Sequence, residues 1–139
     1  MISKKKQQML VDEALTAREM AYTLRKDPIK VGAALLDYED NVHFGCNIVN
    51  DNSNLGVCAE RVAIFNAVSA GSTKFRAIAI VTNQDEILMS CGACRQVMWQ
   101  FARDNAKSFQ YIMADKDGTI ISTHTLEELY PFPFELRDN

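Results

Sequence analysis

The feature that most constrains this chain is a set of three cysteines and one glutamate held at two points. Cys58-Ala59-Glu60 precedes Cys91-Gly92-Ala93-Cys94, and each cluster stands at the head of a stretch with helical composition. A fold for this chain must bring two helix starts, distant in sequence, to one place. A Cys-x-x-Cys pair alone also marks redox sites and structural zinc ribbons. A third thiol in a separate element, with an acid two residues beyond it, narrows the field. Three thiolates can hold zinc and leave its fourth position open to water, whereas a structural zinc site normally has four protein ligands. Cys46 is the remaining thiol, and its alternation with Phe44 and Ile48 places it on the apolar side of a strand, as a small core residue. A redox pair would leave Cys58 and Glu60 without a role.

The spacing also indicates how these groups are used. Cys58 and Glu60, at i and i+2, would point apart from mid-helix; in a first turn both can reach a group lying off the helix end. Two helix N-termini aimed at one point supply positive potential that favours thiolates. Cys58, Cys91 and Cys94 are therefore the expected metal ligands and Glu60 the expected catalytic acid–base. Arg61 follows Glu60 and Arg95 follows Cys94, and both are expected to donate to ligand sulfurs, offsetting the negative charge that three thiolates bring. Zinc lowers the pKa of a bound water to about 7, within reach of Glu60 as proton acceptor. His43 and His124 have no partner at ligand spacing and read as surface or internally satisfied histidines.

Length and charge exclude several classes. The 139 residues suit one domain over positions 1–139, large enough to bury a core without disulfides. A net charge of −3, with Lys4-Lys5-Lys6 as the one basic run, argues against a protein that tracks nucleic-acid phosphates. No apolar run reaches the length of a membrane span and the N-terminus has no leader-like apolar region, so no membrane partner and a cytoplasmic location are expected. Four cysteines in a reducing compartment suit metal binding or catalysis better than disulfides.

Apolar spacing predicts an amphipathic helix from about Lys4 to Leu24, then strands over Val31 to Leu36 and from Val42 to Ile48. A helix from Cys58 to Ala70, apolar nearly all round and expected to be buried, ends at Gly71. Phe75 to Thr82 reads as a central strand covered on both faces. A helix from Gly92 to Asp104 follows, with Val97, Met98, Phe101 and Ala102 inward and Trp99 in its packing. Strands at Phe109 to Ala114 and Thr119 to Ser122 flank an Asp117-Gly118 turn, which makes them antiparallel neighbours. A helical turn from Thr125 to Leu129 precedes Pro131. The order αββαβαββ suggests helices on both faces of a mixed sheet.

At these residues the chain resembles the cytidine deaminase family in its small three-cysteine form. Val31-Gly32-Ala33-Ala34-Leu35-Leu36, Gly45-Cys46-Asn47, Val57-Cys58-Ala59-Glu60-Arg61 and Cys91-Gly92-Ala93-Cys94-Arg95-Gln96-Val97 occur in the family's order, and Glu128-Leu129-Tyr130-Pro131 resembles its C-terminal segment. The resemblance implies an α/β fold, a three-layer α/β/α sandwich with a five-stranded mixed sheet, assembled as a homotetramer with sites near subunit boundaries. It implies zinc on Cys58, Cys91 and Cys94, Glu60 as proton shuttle, and hydrolysis of cytidine or deoxycytidine to the uridine and ammonia, as in pyrimidine salvage. Asn47 would bind a sugar hydroxyl and Ala59 the substrate. Phe134 would either approach a neighbouring subunit's pyrimidine or lie in a core.

The departures bear on substrate. Val49 replaces the family's usual sugar-binding glutamate, with Asp51 as a possible substitute, and blasticidin-S deaminases share that loss. Ser90 replaces the usual proline before Cys91, and Ile29 the usual aromatic. A non-ribose or modified cytosine nucleoside such as blasticidin S is thus the alternative substrate. A nucleic-acid deaminase is disfavoured by the charge balance. A zinc-stabilised binding protein without turnover is disfavoured by the intact Glu60.

Overall fold

The structure, a computed structural model, describes residues 1–136; the last three positions of the expected domain lie outside the described residues. Five strands form one mixed sheet: β1 (Val31–Asp37), β2 (Val42–Cys46), β3 (Phe75–Thr82), β4 (Gln110–Ala114) and β5 (Ile120–Thr125), in the spatial order β2-β1-β3-β4-β5. The helices are α1 (Lys4–Arg18), α2 (Ala59–Ser69), α3 (Gly92–Ala102) and α4 (Leu126–Leu129).

Connection lengths explain the pairing. The short turn after Asp37, with Asp40 at φ 65°, returns β2 antiparallel to β1. β3 and β4 are parallel, and the connection between them carries α3, as a parallel crossover requires. The Asp117-Gly118 turn, with Gly118 at φ +92°, sets β5 antiparallel to β4. Alternating side chains then feed two cores. Ala34, Leu36, Ala77, Ala79, Val81 and Ile112 face α1. Ala33, Leu35, Ile78, Ile80, Tyr111 and Met113 face α2, α3 and α4. The expected three-layer α/β/α arrangement is what forms.

Two glycines let the layers close. A Cβ on Gly32 would overlap the Ala14 carbonyl of α1, and one on Gly45 would overlap the Ala59 carbonyl and the Ala63 amide nitrogen of α2. Gly45 is thus where the first turn of α2 sits down on β2, and that turn carries Cys58 and Glu60.

Several boundaries differ from the sequence reading. α1 ends at Arg18 rather than Leu24, because the sheet ends there. The Arg18 guanidinium donates to the carbonyls of Thr82 (2.7 Å) and Lys116 (2.9 Å), and beyond it the backbone of Tyr22 pairs with Asn47 and Val49. β2 stops at Cys46, and Ile48 makes isolated bridges instead. Cys46 is half-buried rather than core, since β2 is an edge strand and the residue lines an open hollow with Ala17, Met20 and Phe44. α2 is buried along one side only; Phe65 stands on its outer side, 49% exposed. Within α3, Met98 and Ala102 are buried as expected, while Val97 and Phe101 are partly covered. β5 runs on to Thr125 because its pairing continues to Gln110.

Candidate functional site

Both motifs lie at helix starts. Cys58 is the N-cap of α2 and Cys91 the N-cap of α3, each with extended backbone, and neither thiol caps its own helix. Their sulfurs are therefore free to face each other. Cys58 Sγ and Cys91 Sγ lie 3.9 Å apart, Cys91 Sγ and Cys94 Sγ 3.5 Å, and all three fall within 4.8 Å of one another. Zinc–sulfur bonds of about 2.3 Å in a tetrahedron imply edges of about 3.8 Å, so the spacing fits zinc. Among the described residues the cluster comprises three candidate ligand sulfurs, without Cys46, and such a set suits a site with an open fourth position.

The surroundings favour negative charge on the Cys58 sulfur. Arg61 Nη2 lies 3.5 Å from Cys58 Sγ, and its Nε is buried with no hydrogen-bond partner among the described residues. The Cys58 thiol is drawn down to about 5, first by the hydrogen bond from Cys94 and then by Arg61 and Cys91. Cys94 is pushed up, because it donates to Cys58 and is buried. The Arg61 guanidinium is held charged by the sulfurs, Cys58 foremost.

Glu60 sits in the first turn of α2, 5% exposed. Burial pushes its carboxyl upward from the ordinary value, against the lowering effect of a bond from Ser90. Ser90 Oγ donates to Glu60 Oε2 at 2.7 Å and lies 2.8 Å from the Tyr111 hydroxyl, while the Ser90 N–H donates to that hydroxyl at 2.9 Å. The Tyr111 phenol is pushed up to about 12, mainly by burial, and stays protonated. Arg95 differs from the expectation of a sulfur contact. Its Nε donates to the Ser90 carbonyl (2.8 Å) and its Nη1 to the Leu129 carbonyl (2.9 Å), so it fastens the Cys91 loop to α4.

A cavity of about 310 Å³ opens beside this cluster, lined by Arg25, Asn47, Val49, Asn50, Cys58 and Arg61 among others. That volume is at the lower end of the roughly 300–1,000 Å³ typical of small-molecule sites. The family model for the cytidine and deoxycytidylate deaminase zinc-binding region matches residues 4–110, which include all three cysteines and Glu60. The chain belongs to this deaminase family. It is 38% identical over 129 residues to the cytidine deaminase of Sporosarcina psychrophila, covering 93% of this chain and 91% of the relative. It is 40% identical over 131 residues to the cytidine deaminase of Halalkalibacterium halodurans, covering 94% and 96%. The crystal structure of cytidine deaminase from Burkholderia pseudomallei superposes with a TM-score of 0.82 at 33% identity, covering 96% of this chain and all of that one.

The other residues singled out from the sequence fall in different places. Asn47 lines the cavity, and its side chain also ties down the start of β1: Oδ1 accepts from the Val31 N–H and Nδ2 donates to the Ile29 carbonyl, both at 2.8 Å. Each of those atoms retains one further hydrogen-bonding position. Ala59 is fully buried at the first position of α2. Phe134 is 66% exposed, outside the core, with its carbonyl accepting from Gln96 Nε2 at 2.8 Å. Asp51 lines an adjoining hollow with Tyr22 and Arg25, not the cavity that Cys58 lines. His43 is satisfied by Asp37 at 2.9 Å. Sequence reasoning did not single out Tyr111. Its signal was a lone phenol inside an apolar strand, which requires a buried partner for the hydroxyl.

Proposed function

We infer that the chain is a zinc hydrolase converting cytidine and deoxycytidine to uridine and deoxyuridine with release of ammonia. The observation that supports this best is the meeting of three sulfurs and one buried carboxylate at two helix N-termini. Cys58, Cys91 and Cys94 would hold the metal. Zinc bound there supplies Lewis acidity and an acidified water. Glu60 accepts a proton, delivers one to the cytosine ring nitrogen N3, and later protonates the departing 4-amino group. Its burial raises its proton affinity, which suits a group that must hold a proton between transfers. Arg61 moderates the charge of the thiolates through Cys58. The spare donor and acceptor of Asn47 take a sugar hydroxyl, and Ala59 contacts the base with its backbone. Phe134, exposed in one chain, reaches a neighbouring subunit's pyrimidine in a homotetramer.

One domain spans residues 1–139 in this reading, and it acts in the cytoplasm on small nucleosides of pyrimidine salvage, not on nucleic acid or membranes. The net charge of −3 supports that choice, and no helix among the described residues is long and apolar enough to cross a membrane.

Val49 favours a second substrate reading. It lines the cavity where the family usually places a carboxylate, and among the described residues the cavity lining contains none. A modified or non-ribose cytosine nucleoside such as blasticidin S would not need that carboxylate. The test is deamination by zinc-quantified protein, followed by the ultraviolet change as cytosine becomes uracil. Cytidine, deoxycytidine and blasticidin S run in parallel. Turnover of cytidine, lost in Glu60→Ala with zinc retained, supports the first reading. Turnover of blasticidin S alone supports the second, and Val49→Glu should then shift relative rates toward ribose substrates. Zinc retention without activity on any of the three overturns both.

A further inference from the structure

Glu60 is held by more than its own helix. A carboxylate that must pick up a proton at one point and release it at others needs a fixed place, since a misplacement of about 1 Å can lower a rate on the order of 100-fold. α2 supplies the backbone of Glu60, but the side chain is gripped by the loop before α3. Ser90 is 5% exposed and Tyr111 fully buried, so these hydroxyls lie out of solvent. Ser90 Oγ has one proton, and it goes to Glu60 Oε2 at 2.7 Å. The 2.8 Å contact with Tyr111 must then be a donation from the phenol to Ser90 Oγ. The Tyr111 oxygen in turn accepts the Ser90 N–H at 2.9 Å. The grip is two-pointed: the backbone N–H and the hydroxyl of Ser90 both lock onto one phenol rooted in β4. The Arg95 bond to the Ser90 carbonyl at 2.8 Å fixes the same residue from its other side.

We propose that Ser90 and Tyr111 are positioning residues that clamp Glu60 through Oε2 and leave Oε1 as its proton-transferring oxygen. A proline at this position would have neither an N–H nor a hydroxyl, so the clamp depends on both halves of the serine. The proposal rests on Glu60 being the proton shuttle, and on Tyr111 reaching across from β4 to a loop that follows β3.

The test pairs kinetics with structure. Zinc-loaded Ser90→Ala should lose roughly 10- to 100-fold in kcat while KM stays within about threefold, because the variant misplaces a group needed only for chemistry. Ser90→Thr, which keeps the hydroxyl and the N–H, should recover most of the rate. Tyr111→Phe fills the same volume and should show a smaller loss of the same kind. Adding it to Ser90→Ala should cause no further fall, since both act through one chain of bonds. Crystal structures of the same variants give a readout that needs no turnover: in Ser90→Ala the Glu60 carboxylate should leave its place or divide between rotamers. If wild-type protein deaminates no cytosine nucleoside yet Ser90→Ala releases Glu60, the substrate reading fails and the clamp stands. If Glu60 stays fixed and kcat is unchanged in Ser90→Ala, the clamp is overturned. If Ser90→Ala fails to fold or to hold zinc, Tyr111→Phe decides by the same two readouts.

Discussion

The carboxylate of Asp37, 2% exposed at the end of β1, shows at the residue scale how one side chain fixes a turn. It accepts from the backbone N–H groups of Glu39 (2.8 Å) and Asn41 (2.9 Å), from Ser72 Oγ (3.0 Å), and from His43 Nε2 at 2.9 Å when that nitrogen is protonated. Burial alone would raise its pKa; the bonds from His43, Asn41, Ser72 and Glu39 outweigh burial and hold it well below the usual carboxylate range. An unfolded aspartate titrates near 3.9, roughly. The folded value is the lower one, so Asp37 contributes its full stability above about pH 5 and loses it as pH falls below about 4, toward the folded pKa. Asp37→Asn should destabilise the protein by about 1–3 kcal/mol at pH 7 and by less at pH 3. Urea midpoints at the two pH values check this; an equal loss at both would refute it. Residues of this kind were hard to find in the sequence. Cys58, Glu60, Cys91 and Cys94 stand out because few other combinations meet the demands of a metal and a proton. Tyr111 and Asp37 look like an ordinary strand phenol and a turn acid, and their roles exist only once β4 and the Ser72 loop are in place.

At the scale of elements, the site depends on two helices being seated, and Gly45 seats one of them. The first turn of α2 approaches β2 so closely that no Cβ fits between them. Gly45→Ala must push that turn outward and move Cys58 relative to Cys91. The expected result is a loss of about 1–3 kcal/mol, typical of overpacking, together with at least tenfold weaker zinc retention against a chelator. Gly71→Ala serves as the control: φ there is +91°, which strains any side chain, but open space surrounds it, so it should lower stability and leave zinc affinity unchanged. Equal zinc affinity in Gly45→Ala would show that α2 can shift without disturbing the cluster. Strand β3 and both motif helices were legible in the sequence, because their patterns follow from burial and from helix-end chemistry. The end of α1 was not. Apolar spacing continues to Leu24, while the helix stops where the sheet beneath it stops, and Arg18 marks that edge by bonding the Thr82 and Lys116 carbonyls.

At the scale of the whole molecule, the mismatch between the apolar pattern of α2 and its one-sided burial carries information. The helix reads as apolar nearly all round, yet Phe65 is half in solvent on its outer side. Phe44 on the edge strand β2 is similarly exposed, and Asn66, next to Phe65, donates its Nδ2 to the Phe44 carbonyl at 2.8 Å. Met20, past the end of α1, lines a shallow hollow with Phe44, Cys46 and Val62 and extends the patch. Exposed apolar side chains at a sheet edge are what an oligomer interface uses and what a monomer avoids. In the proposed homotetramer this face and the exposed Phe134 would be the surfaces to cover. Phe65→Glu puts a charge where burial would be required in the assembly but free solvation is available in the monomer. It should therefore lower the mass seen in sedimentation by a whole subunit step while leaving the isolated chain folded by circular dichroism. If Phe134 serves a neighbour's site, the same variant should also raise KM at protein concentrations where it is dissociated, with zinc still bound. An unchanged mass would show that this face is not an interface. Dissociation with unchanged kinetics would show instead that each chain carries a complete site.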